Sequence, residues 1–159
     1  MTNTRSTIID KQLAHNVKQM RIKEGLSQRR LGNVLNVSIQ QIQKYEKATN
    51  RISAASLSIL AKFFKTPIEE FYANTSLSIN DTTLPIEWCS NMDKKISENL
   101  KELRKTHKMH RKELAIKLNV SPEQVIRYET THDEIPGSII YKLSKIFETP
   151  IAELYKNIS

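Results

Sequence analysis

Gln28 and Arg29, followed by Ile39, Gln40, Gln43 and Lys44 and then Arg51, place amide and cationic groups within one stretch of 24 residues. A glutamine carboxamide carries a donor and an acceptor side by side and can pair with N6 and N7 of adenine. A lysine can donate to guanine, and an isoleucine can meet the methyl group of thymine. Arginine and lysine also meet phosphates, which sets affinity and register without reading a sequence. The solvated face of an ordinary surface helix carries the same residue types, so the elements that hold these side chains must decide between the two readings.

Those elements are helical. Leu13, Val17, Met20 and Ile22 form an apolar stripe that predicts a helix over residues 10–23, stopped by Gly25, which takes positive φ without strain. Ser27 can cap a helix Gln28–Leu35, and Ser38 a helix Ile39–Glu46. Only Asn36 and Val37 separate that pair, so the two helices must cross steeply. Gly32 is small where they would touch, and Asn36 tolerates the left-handed conformation that the turn requires. Ser53 or Ala54 opens a fourth helix ending near Phe64, and Pro67 is expected at the first position of a short fifth ending near Tyr72.

Residues 17–72 recur at 100–155, displaced by 83 positions without a gap. Arg21/Arg104, Leu31/Leu114, Asn36/Asn119, Ser38/Ser121, Gln41/Gln124, Tyr45/Tyr128, Glu46/Glu129 and Pro67/Pro150 are identical across that shift. A short repeat also suggests a solenoid, but two copies with a linker between them argue against stacking. The expected organisation is all-α: two tandem five-helix domains at 8–74 and 93–159, joined by a linker at 75–92. The second copy's last two helices are expected over 137–147 and 150–155.

The 159 residues carry a formal charge of +8, which suits a polyanionic partner such as nucleic acid or an acidic membrane surface. Positions 17–72 hold ten Lys/Arg against four Glu, a net of +6, whereas 100–155 hold ten against eight Asp/Glu, a net of +2. The first copy is therefore the better candidate for phosphates. Cys89 is the only cysteine, which excludes an intramolecular disulfide and a cysteine-based zinc site. The amino terminus lacks the apolar core of a signal peptide, and no apolar run approaches the roughly 20 residues that span a bilayer. A soluble cytoplasmic protein without membrane partners is expected. His15, His107, His110 and His132 show no metal-binding or triad-like spacing, and no glycine-rich phosphate loop is present, so neither catalytic residue, metal nor cofactor is expected.

The string LSQRRLGNVLNVSIQQIQKYEKATNR resembles the helix-turn-helix of the XRE family, to which the phage repressors and Cro belong. That resemblance implies a nucleoid-associated regulator from a bacterium or phage, with Ile39–Glu46 as the recognition helix in the major groove of double-stranded DNA. It places Ser38, Ile39, Gln40, Gln43 and Lys44 at the groove, Gln28 and Arg29 against phosphate, and Arg51 beyond the recognition helix. Arg21 and Glu46 resemble the family's internal ion pair, a structural feature, and Tyr45 and Tyr128 read as core. The apolar residues of IEEFY and IAELY suggest a self-association surface, hence a homodimer, and Arg5 could reach along a groove as basic arms do.

The second copy departs from this pattern. Pro122 and Glu123 replace Ile39 and Gln40, while Arg111 and Lys112 stand near the expected phosphate positions and Arg127 replaces Lys44. A carboxylate at the groove accepts from cytosine N4 but repels phosphates. Base reading and partner binding both stay open for this copy. Trp88 in the linker is an anchor onto a domain or a dimer contact. The leading function is a sequence-specific transcription regulator; the alternatives are an antitoxin or a protein-interaction adaptor on the same fold.

Overall fold

A computed structural model describes residues 7–73 and 92–157, and no strand occurs among these. The chain divides into two compact units, one around each copy. In the first, α1 spans Ile8–Lys23. It starts two residues earlier than the apolar stripe predicts, because Thr7 and Asp10 form a reciprocal cap: the Asp10 amide donates to the Thr7 hydroxyl at 3.1 Å, and the Thr7 amide to the Asp10 carboxylate at 2.8 Å. Gly25 follows with φ +65°, as a left-handed stop requires. Arg5 and its proposed arm lie outside the described residues.

Ser27 caps α2, Gln28–Leu35, by accepting from the Arg30 amide at 3.1 Å. Asn36 then adopts φ 53°, and the Val37 amide returns to the Gly32 carbonyl at 2.9 Å. Ser38 caps α3, Ile39–Glu46, through the Gln41 amide at 3.1 Å. Both helices keep the expected bounds. Gly32 allows the close crossing: a Cβ there would stand 2.8 Å from the Val37 carbonyl oxygen. At the corresponding place the second copy buries the methyl of Ala115.

α4 is Ala54–Phe64, and the next element, Ile68–Tyr72, winds as a 3-10 helix. Pro67 precedes that helix with extended ψ 143° instead of occupying its first turn, and Pro150 does the same before the second copy's last helix. The second unit comprises α5 (Met92–Thr106), α6 (Arg111–Leu118), α7 (Pro122–Glu129), α8 (Gly137–Ile146) and α9 (Ile151–Leu154). Met92, assigned from sequence to the linker, is the buried first residue of α5. The rest of the linker, with Trp88 and Cys89, lies outside the described residues.

Each core is built from the apolar faces of its own helices: Leu13, Val17, Leu31, Ile42 and Leu57 in the first unit, Ile96, Leu100, Leu114, Val125 and Ile140 in the second. Burial of each such side chain contributes about 1.5 to 3 kcal/mol. The last helix of each copy corrects an expectation. Ile68, Phe71 and Tyr72, like Ile151, Leu154 and Tyr155, are at most 4 % exposed. They fill their own cores and offer no apolar surface for self-association. No described helix is long and apolar enough to cross a membrane.

Each terminal helix is fastened by an asparagine one position before the repeat window. Asn16 donates its amide to the carbonyls of Phe71 and Ala73 at 2.8 and 2.9 Å. Asn99 donates to those of Leu154 and Lys156 at 3.0 and 2.9 Å. Leaving such carbonyls unsatisfied costs about 1 to 3 kcal/mol, more where water cannot replace the donor. Asn99 is buried and Asn16 only half-buried. In urea titrations monitored by helix content, Asn99→Ala should therefore destabilise its unit more than Asn16→Ala destabilises the other. The reverse order would show that burial does not set the cost, and no loss in either variant that these bonds do not hold the terminal helices.

Candidate nucleic-acid interface

The orientation of α3 is set from behind. Arg21 on α1 meets Glu46 at the end of α3 with two bonds, Nε to Oε1 at 2.5 Å and Nη2 to Oε2 at 3.1 Å. Its remaining nitrogen donates to the Leu26 carbonyl at 2.8 Å. The Glu46 side chain is 4 % exposed and accepts a further bond from Gln28 Nε2 at 2.8 Å. Burial raises the Glu46 pKa, but the hydrogen bonds from Arg21 and Gln28 and the charges of Arg21 and Lys18 outweigh it, so the carboxyl is held below its ordinary value.

On the outer side Arg29, Gln40, Gln43 and Lys44 are exposed, while Ile39 is half-buried. Ser38 contributes its oxygen to the helix start. Gln28, assigned from sequence to a phosphate, spends its amide nitrogen on Glu46, and its oxygen accepts a long bond from Gln43 at 3.5 Å. The starts of α2 and the middle of α3 thus adjoin, which brings Arg29 and Gln43 to neighbouring elements. Arg51 is half-buried, 3.5 Å from the Asp10 carboxylate at the start of α1.

The second copy rebuilds the frame with different outer chemistry. Arg104 holds Glu129 at 2.5 and 3.2 Å. Arg111 stands where Gln28 does and donates its Nε to the same Glu129 carboxylate at 2.7 Å, while its side chain remains 41 % exposed. Burial again raises the Glu129 pKa, and bonds and charges from Arg104 and Arg111 bring it below the ordinary value. Lys112 and Glu123 are exposed. Arg127 is bound to Asp133 by two bonds, Nε to Oδ2 at 2.8 Å and Nη2 to Oδ1 at 2.6 Å. Sequence reading missed Asp133; its signal was the change from neutral Asn50 to a carboxylate at the equivalent position. Among the described residues no three His, Cys, Asp or Glu side chains gather to hold a metal ion.

Two crossed eight-residue helices, separated by a left-handed asparagine and backed by a third, define a helix-turn-helix unit, present twice. The helix-turn-helix family model matches residues 17–71 and 100–154, and the chain belongs to this XRE-type family of DNA-binding transcription regulators. An uncharacterized HTH-type transcriptional regulator of Sinorhizobium medicae is 38 % identical over 64 residues, covering 40 % of this chain and 46 % of that one. Another, of Rickettsia prowazekii, is 39 % identical over 64 residues, covering 40 % and 49 %. An uncharacterized transcriptional regulator in the ATPase CF(0) region of Rhodospirillum rubrum is 41 % identical over 66 residues, covering 42 % and 61 %. The chain spans about half the length of the curated relatives it matches. No solved structure gives a significant match. The family is generally non-enzymatic.

The buried pair gives this frame an acid limit. A carboxyl with a depressed native pKa contributes stability that is complete above its unfolded value, near 4.5, and is lost as pH falls through the native value. Unfolding midpoints between pH 7 and 3 should therefore fall less for Glu46→Gln than for the parent. Equal falls would locate the acid sensitivity elsewhere. At neutral pH, Arg21→Ala, which strands the buried carboxylate, should cost about 3 kcal/mol.

Proposed function

We propose that the first copy binds double-stranded DNA sequence-specifically, with α3 in the major groove, and that the chain regulates transcription by occupying an operator. Gln40, Gln43 and Lys44 read base edges and Ile39 meets a thymine methyl. Arg29 meets phosphate, Arg51 is a second candidate beyond α3, and the capped start of α2 adds backbone amides. The supporting observation is a division of labour on α3. Ile42 and Tyr45 are buried and Glu46 is clamped, while Gln40, Gln43 and Lys44 stand in solvent on a helix that cannot easily rotate. The excess of cations in this copy supplies the attraction to a polyanion. The proposal extends to nucleoid association and to a homodimer on an inverted site, held by a surface other than the buried terminal helices.

Selection from random double-stranded DNA at about 150 mM salt, where non-specific binding is suppressed, tests it. Gln40→Ala should lose about 1 to 3 kcal/mol of discrimination at one or two base pairs and keep it elsewhere. Arg29→Ala should weaken all sequences alike and lower the salt slope by about one. Inverted identical half-sites support the homodimer; unlike halves indicate that both copies of one chain bind. If both variants select and bind as the parent does, this docking is wrong.

A further inference from the structure

The two copies share a frame, so every outer residue of one has a counterpart in the other. Lys44 corresponds to Arg127, Gln41 to Gln124 and Asn50 to Asp133. In the second copy these three close on one another: Asp133 accepts both bonds of the Arg127 fork, and Gln124 Nε2 donates to the same carboxylate at 2.8 Å. We propose that Asp133 keeps the second recognition helix from reading DNA, by occupying the Arg127 guanidinium that α7 would otherwise offer to a base edge or a phosphate. The inference rests on the DNA-reading role proposed for this helix-turn-helix frame.

The geometry carries the argument. A guanidinium presents two parallel donors, and a carboxylate, a phosphate and the O6/N7 edge of guanine each present two matching acceptors. Asp133 therefore fills the valence that recognition would use. Hydrogen bonds from Arg127 and Gln124, with the Arg127 charge, hold its pKa down at about 2, so the carboxylate is charged throughout the physiological range. An exposed ion pair adds little stability by itself. Its weight lies in what DNA binding demands: the fork must open, and a freed carboxylate must then stand beside the phosphate backbone.

The neighbouring substitutions act in the same sense. Residues 28–50 hold four cations and one acid, a net of +3, whereas 111–133 hold four of each, a net of zero. Gln43, a donor, corresponds to Ile126, an apolar side chain 43 % exposed, and Gln40 to the carboxylate of Glu123. Of the two cations at the expected phosphate contact, Arg111 has its Nε bound to Glu129, and Lys112 stays exposed.

The test uses the full chain and mixed-sequence duplexes of about 40 base pairs, long enough for two half-sites. Affinity is measured against salt for the parent, Arg127→Ala, Asp133→Asn, the double variant, and Lys44→Ala. Arg127→Ala should bind as the parent does, whereas Lys44→Ala should bind less tightly. Asp133→Asn, which installs the residue type of the first copy, should bind about tenfold tighter with a salt slope steeper by about one. The double variant should return to the parent value. Asp133→Asn binding like the parent overturns the proposal, as does a gain that survives removal of Arg127, or Arg127→Ala weakening the parent as Lys44→Ala does. A parent and Lys44→Ala that bind equally poorly, with Asp133→Asn gaining through Arg127, would remove the first-copy reading and leave this one standing.

Discussion

A guanidinium clamped on a nearly inaccessible carboxylate fixes everything that either unit can present to a partner. Glu46 and Glu129 are the last residues of α3 and α7, and their side chains are 4 % and 0 % exposed. Removing a charge of this kind from water is expensive, and a well-packed apolar pair often gives equal stability. The clamp supplies direction instead. Two parallel bonds from Arg21 or Arg104 leave one orientation of the carboxylate, and so one rotation of the helix about its axis. The third nitrogen of the same guanidinium holds the carbonyl of Leu26 or Met109, five residues on, so the loop before the motif is drawn into the arrangement.

Eight-residue helices require such support, because isolated helices shorter than about 12 to 15 residues are marginal in water. α2 and α3 derive theirs from the serine caps, from Asn36 in the left-handed region, and from the apolar floor of Leu31, Leu35 and Ile42. Outer side chains make no comparable contribution. They can change while the frame stays fixed, and this freedom has been used in the second copy.

The frame was largely legible in the sequence. Serine before an apolar run, asparagine at a two-residue turn, and the Arg21 and Glu46 positions are local or repeated signals, and α2 and α3 begin and end where those signals fall. Part of what escaped depended on distance, and part was local but outside the apolar pattern. Asn16 and Asn99 lie just outside the repeat window, and their partners are carbonyls about 55 residues away, which no periodicity reveals. Thr7 and Asp10 start α1 through a reciprocal cap that the apolar stripe does not contain. The apolar residues of IEEFY and IAELY were legible as apolar, but the turn that directs them into their own core follows from the asparagine bonds.

The outer face was legible as composition but not as pairing. Sequence alone distinguishes Gln28 from Arg111 and Lys44 from Arg127, yet it does not show that Gln28 and Arg111 both turn toward the buried glutamate. Once that is known, their difference acquires a meaning. Gln28 is neutral, so in the first copy one cation balances one carboxylate. In the second, Arg104 and Arg111 both meet Glu129, and this inner cluster retains a positive charge while Asp133 and Glu123 bring negative charge outside. The contrast at the surface that a phosphate would meet thus rests on Asp133 and Glu123, which stand where the first copy has Asn50 and Gln40, while Arg111 gives one of its donors to the buried glutamate.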